Sequence, residues 1–186
     1  MADLENVENI ILGGGEPGKY IAWELARQGR RTVVIERSLI GGSCPNIACL
    51  PSKNVIHSAK VADLVRHGKD YGLRTGPVAA DMAGVRRRKR EMVDGLVEIH
   101  RKRFAANGLE FLLGEGRFVA PRIVEVRLAA GGVRRIEAER VFLDLGTHAT
   151  VPDIPGLAAA APLTHVDALE RHLDRMEQSP KKGKKR

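Results

Sequence analysis

Residues 7–36 read VENIIL at 7–12, GGGEPG at 13–18, KYIAWELARQGRR at 19–31 and TVVIE at 32–36. The first run is short, apolar and bounded by glycine, which predicts a buried strand. Tyr20, Ile21, Ala22, Leu25 and Ala26 recur at helical spacing and predict one apolar helix face, closed where Gln28-Gly29 ends the pattern. TVVIE predicts a second buried strand ending in an acid. Together they make a βαβ unit of about 30 residues.

Within it, Gly13, Gly15 and Gly18 form G-x-G-x-x-G between strand and helix, and Glu36 stands 18 residues after the last glycine. Gly13 permits a tight turn, Gly15 lets a pyrophosphate approach the backbone, and Gly18 lets helix and strand pack closely. The helix N-terminus offers free N–H groups to the phosphates, and Glu36 can accept hydrogen bonds from the adenosine ribose. The fingerprint does not separate FAD from NAD. Glu16 lies inside the loop, where its charge opposes a pyrophosphate unless the side chain turns away.

Beyond this unit, residues 44–66 predict a helix distorted early by Pro51. A linker at about 68–81 precedes a second helix at about 82–106, with Met92, Val93, Leu96, Val97, His100 and Phe104 on one face and the Arg86–Arg90 run on the other. Four or five short β segments follow, at 109–113, 116–120, 123–128, 133–138 and 140–146, with Gly131-Gly132 as a turn. The expected fold is α/β, a Rossmann-like domain with a parallel sheet, flanking helices and an antiparallel β-meander. The domain is expected to span 1–157, a connector with a short helix 158–176, and a disordered basic tail 177–186.

The 186 residues are 43% hydrophobic, enough for one substantial core. The acidic, polar N-terminus and the lack of a long apolar run predict a soluble, cytoplasmic protein without a membrane anchor. Of the net charge of +8, the last six residues contribute +5 and residues 86–103 another +5, which leaves −2 for the remainder. Two local basic patches and few aromatic residues give weak support to a nucleic-acid surface. Electrostatic tethering of the tail to a polyanion is the alternative role for it.

Cys44 and Cys49 are the two cysteines, in GGSCPNIACLPSK at 41–53. Two cysteines without a histidine pattern fall short of a zinc site, so no metal site is expected and redox chemistry is the main option. A disulfide across four intervening residues closes a small, constrained ring and is more reducible than a structural one.

This stretch resembles the redox-disulfide motif of the class I pyridine nucleotide-disulfide oxidoreductases, which include dihydrolipoamide dehydrogenase, glutathione reductase and mercuric reductase. Ser43 stands for the family's threonine and Ala48 for a glycine. The resemblance extends through Gly114-Glu115-Gly116 and LGTHATVPDIPGL to Gly156-Leu157, and within the family it leans toward the mercuric reductase-like branch. It implies FAD at the first glycine motif, with Gly13, Gly15, Gly18, Glu36, Arg37, Gly42, Ser43, Gly116 and Gly146 as the residues around it. Cys44 is then the interchange thiol that attacks substrate, Cys49 the charge-transfer thiol against the flavin, and Lys53 a neighbour of the flavin N5 edge.

The same resemblance implies a disulfide or metal-ion substrate, NAD(P)H as co-substrate of the complete enzyme, and a homodimer. Family members continue into an NAD(P)H domain and a dimerisation domain carrying a His-Glu pair. The chain is therefore expected to be a truncated portion of the fold, with its C-terminal part missing. The alternative is a non-catalytic FAD-binding remnant.

Overall fold

The computed structural model describes residues 4–106 and 108–172. They fall into two compact units, one within 4–46 and 95–147 and the other within 47–94 and 148–172. The expected tail at 177–186 lies outside the described residues.

The first unit is built on five strands: β1 (Leu4–Leu12), β2 (Thr32–Glu36), β3 (Glu110–Ala120), β4 (Ile123–Leu128) and β5 (Val133–Leu143). Their order closes on itself as a barrel. β1 pairs in parallel with β2 on one side and β5 on the other, and β2 pairs in parallel with β3. β3, β4 and β5 then run antiparallel, as the expected meander.

Three strands replace the four or five segments expected after residue 108, because β3 and β5 are each long enough to serve two neighbours. Residues 110–113 of β3 face β2, whereas the strand from Gly114 onward faces β4. The change of partner falls where a Cβ on Gly114 would stand 2.5 Å from the Arg127 carbonyl oxygen. Glycine thus marks a bend inside one strand, where the sequence suggests a break between two.

Alternation along the strands separates two cores. Ile10, Leu12, Val33 and Ile35 point into the barrel with Leu112, Val124, Val126 and Ile136. Ile11 and Val34 point outward against Ala22 and Ala26 of helix α1 (Glu16–Arg27) and Phe104 of helix α4 (Met82–Ala105). Strands buried on both faces read as continuous apolar runs, as Ile10-Ile11-Leu12 and Val33-Val34-Ile35 do.

The inner face of α1 differs from the expected one. Tyr20 is 59% exposed, while Lys19 is 4% exposed. Positions 19, 22 and 26 form the stripe against the sheet, and Tyr20 lies about 100° around the helix from Lys19. Burial of the ammonium is compensated by partners described below.

In the second unit, α3 (Cys49–Arg66) is followed by a 3₁₀ turn at Gly68–Tyr71. The single helix expected from Cys44 is two, since a four-residue helix α2 (Ser43–Asn46) precedes α3 and Ala48 breaks the chain between them at φ −131°, ψ −96°. Pro51 then falls in the first turn of α3, where its missing N–H costs nothing and no distortion is needed. After the connector come a short helix α5 (His165–Asp167), capped by Thr164, and a wider turn at Ala168–His172.

The Arg86–Arg90 run is not simply a solvated face. Lys89 is 1% exposed, with Nζ on Glu170 and on the Leu169 carbonyl. Arg88 donates to Asn54 O and Ser58 Oγ on α3. Part of the run therefore holds the second unit together and is spent internally.

Candidate functional site

The glycine loop sits between β1 and α1, and the register of the sheet decides what surrounds it. Leu12 pairs with Ile35 of β2 and with Leu143 of β5. The residues just beyond, Glu36 and Asp144, therefore arrive on the two sides of Gly13. The backbone continues this pairing, as Gly13 N donates to Ile35 O at 2.8 Å and Asp144 N donates to Leu12 O at 2.7 Å.

Both acids turn their carboxylates onto the loop. Glu36 Oε2 accepts from Gly14 N at 2.8 Å, and its Oε1 accepts from Ser38 N and Leu39 N at 2.8 and 3.0 Å. Asp144 Oδ2 accepts from Gly18 N, three residues into the helix cap, at 2.9 Å. Gly15 is the helix N-cap and supplies no side-chain cap of its own.

The glycines are required by contact as well as by conformation. Gly13 has φ +103°, and a Cβ on Gly18 would stand 2.3 Å from Gly13 O. A Cβ on Gly15 would meet Asp144 Oδ2 at 2.7 Å. Of the loop amides, Gly13, Gly14 and Gly18 are engaged as described, Pro17 has none, and Lys19 N donates to Gly15 O. Among the described residues, Gly15 and Glu16 are left as the loop amides without a protein partner.

Glu16 is paired with Lys19. Lys19 Nζ lies 2.6 Å from Glu16 Oε1 and 2.9 Å from His100 Nε2. His100 Nδ1 is 2.7 Å from the Leu96 carbonyl, an acceptor only, so Nδ1 carries the proton and Nε2 accepts from the ammonium. Burial pushes the His100 pKa below its ordinary 6.5, the hydrogen bond to Leu96 opposes that shift, and the charge of Lys19 adds to it. Trp23 stacks on the same imidazole at 6.2 Å between ring centroids.

This network reaches the segment that leads to the cysteines. Gly41 and Gly42 have φ +87° and +83°, and a Cβ on Gly41 would lie 3.0 Å from the His100 ring. A Cβ on Gly42 would lie 2.6 Å from Gly15 Cα. The double glycine thus lets the chain pass directly against the dinucleotide loop, and Asn46 fixes the passage by donating to Ile40 O and Gly42 O at 3.0 and 2.7 Å.

Cys44 follows in α2 and is half-buried; Cys49 opens α3 and is exposed, as is Lys53. Ser52 Oγ donates to Ala48 O at 2.7 Å and to Cys49 O at 2.9 Å, securing the first turn of α3. Arg37 and Ser43 are exposed at the ends of β2 and the start of α2. Gly116 lies inside β3, where a Cβ would meet Leu12 at 2.6 Å, so packing in the barrel already demands glycine there. Gly146 has φ +68° with open space around it. Among the described residues, no group of three or more His, Cys, Asp or Glu is placed to hold a metal ion, and no helix is long and apolar enough to cross a membrane.

The sequence reading missed Asp144, Lys19, His100 and Asn46. Asp144 had a signal: RVFLD repeats the logic of TVVIE, an acid ending a core strand, and two strands flanking β1 must bring two acids to its end.

A βαβ unit with its glycine loop, and a Gly-Gly-Ser-Cys segment packed on that loop, set the frame for comparison with known proteins. The family model for pyridine nucleotide-disulphide oxidoreductases matches residues 7–185. The chain belongs to this family. Its members are flavoproteins that depend on FAD, with NAD(P)H as co-substrate. This chain is 31% identical to a dihydrolipoamide dehydrogenase of Chaetomium thermophilum, over 80% of its own length and 29% of the relative's. It is 30% identical to a mercuric reductase of Bacillus cereus, over 87% of its length and 25% of the relative's. Relatives from more than one branch of the family thus match at similar identity. Among solved structures, the HOCl-induced flavoprotein disulfide reductase RclA of Escherichia coli, as a Cu(II) complex, superposes with a TM-score of 0.69 at 28% identity, over 82% of this chain and 31% of that one. The chain spans a quarter to a third of the length of these relatives.

Proposed function

We propose that this chain provides the FAD-binding and redox-thiol portion of a disulfide oxidoreductase, with Cys44 and Cys49 as the pair that cycles between dithiol and disulfide. The observation that carries the reading is the contact of Gly42 with Gly15, since it sets the segment ending in Cys44 against the loop suited to a dinucleotide.

The loop fits such a ligand in shape. Gly15 and Glu16 would donate to the diphosphate, and Glu36, whose Oε2 accepts only from Gly14 N and so retains a lone pair, would take the ribose. Lys53 would stand at the flavin edge. FAD, when bound, supplies the two-electron chemistry that regenerates the dithiol.

The thiols do the rest in two exchanges. Cys44, as thiolate, attacks one sulfur of a substrate disulfide; that bond breaks, one substrate thiol leaves, and a mixed disulfide with Cys44 remains. Cys49 then attacks Cys44 Sγ, releases the second substrate thiol and closes the Cys44–Cys49 disulfide. The two thiol protons end on the two products.

The test is reconstitution with FAD followed by thiol counting. The reading expects yellow protein in which accessible thiols rise by two on reduction of the oxidised form, with no rise in Cys44→Ser. Protein that takes up no FAD, or that binds FAD with an unchanging thiol count, would overturn it.

A further inference from the structure

The acid least accounted for by a flavin site is Asp144. An anion is wanted at the N-terminus of α1, but one is already there: Asp144 Oδ2 sits 2.9 Å from Gly18 N and within 2.7 Å of where a Gly15 Cβ would be. The loop also holds Glu16 and Glu36, against the single buried ammonium of Lys19. A diphosphate placed beside Gly15 brings further negative charge into contact range of that carboxylate.

Resting on the flavin reading above, we propose that Asp144 is a built-in stand-in for the diphosphate, capping α1 in the empty protein and weakening the binding of FAD. Its carboxylate performs for Gly18 what a side chain at the N-cap ordinarily does, which Gly15 cannot. The aspartate reaches the cap from 126 residues away, so it ties the end of β5 to the start of α1 while no ligand is present. Once a diphosphate occupies the loop, two anions compete for the same positive helix end. Asp144 thereby trades cofactor affinity for stability of the empty fold.

A merely structural aspartate would make both stability and binding worse when removed; a stand-in makes them move in opposite directions. Asp144→Asn keeps an acceptor for Gly18 and loses the charge, and Asp144→Ala loses both. The full chain is titrated with FAD, followed by flavin fluorescence, and with ADP, which carries the diphosphate without the flavin; the melting temperature of the empty protein is recorded alongside. Asp144→Asn is expected to bind FAD and ADP each about tenfold more tightly. Asp144→Ala should match that gain while melting about 2–4 °C lower than wild type when empty.

Weaker or unchanged FAD binding in both variants, with wild type binding FAD, overturns the stand-in and leaves the flavin reading standing. Tighter FAD without tighter ADP also overturns it, because the effect then acts at the flavin end. Failure of wild type and both variants to bind FAD overturns the flavin reading itself. Asp144→Asn keeps the test decisive where the alanine variant does not fold.

Discussion

The glycine loop and the cysteine helix differ in how completely the chain itself determines them. Around the loop the amides of Gly13, Gly14 and Gly18, the carboxylates of Glu36 and Asp144 and the ammonium of Lys19 have partners within the first unit, and Ile11, Val34 and Phe104 support it from beneath. Along α3, Cys49 and Lys53 are exposed, and so are Ile56 and Leu64. A cofactor scaffold must be preorganised to hold its ligand, whereas a thiol that exchanges with substrate must remain reachable. On the proposed function, the contrast is between a site finished in advance and one that works by being open.

The largest effect should come from the core under the loop. Ile11→Ala is expected to cost about 3 kcal/mol, read from denaturant unfolding, while Leu64→Ala on α3 should stay within about 0.5 kcal/mol. Comparable losses at both would mean that α3 is as closely packed as the loop.

Next is the loop backbone. Gly18→Ala forces a methyl to 2.3 Å from Gly13 O and is expected to destabilise by about 2 kcal/mol and to abolish FAD uptake. Gly76→Ala, with nothing within 4 Å of its Cβ, should be neutral or stabilise by up to about 1 kcal/mol.

At the other end of the barrel, Arg134 donates to Glu5 Oε1 at 2.7 Å and to Glu110 Oε1 at 2.6 Å, joining β5 to β1 and β3. The hydrogen bond from Arg134 holds the Glu5 carboxyl below the usual carboxylate range. These groups are partly solvated, so Arg134→Met should cost only about 1 kcal/mol, with FAD affinity unchanged. A loss of flavin binding would show that the far rim shapes the loop.

The smallest effect is a pH dependence. Because the folded protein keeps His100 neutral, its pKa lies below that of the unfolded chain, and the unfolded state binds the proton first as pH falls. The stability contributed is fully present above about pH 6.5 and declines below it, by at most about 1.4 kcal/mol per pH unit for one proton. His100→Gln should flatten that decline relative to wild type in melts between pH 7 and 5. Parallel curves would remove His100 from the account.

Much of this was legible in the sequence for identifiable reasons. TVVIE could be bounded to the residue, because a strand apolar on both faces and closed by an acid has no competing reading. The helix break at Ala48 was not, since Pro51 looks like a distortion until one knows that the helix begins at Cys49. Gly114 looks like a gap between two strands because sequence shows a glycine's freedom but not the carbonyl pressed against it. Lys19 and His100 were missed as a pair because 81 residues separate them, and a buried lysine is intelligible only when its partners are seen. The site followed the same rule: the loop and the cysteines could be read locally, and Asp144 required the sheet register.

The central claim is that one site holds both flavin and a redox-active thiol pair. Anaerobic reductive titration of the FAD-reconstituted chain with dithionite tests it most directly. The account predicts four electrons per bound flavin in wild type and two in Cys44→Ser or Cys49→Ser, with flavin content unchanged in both variants. Two electrons per flavin in oxidised wild type would contradict it.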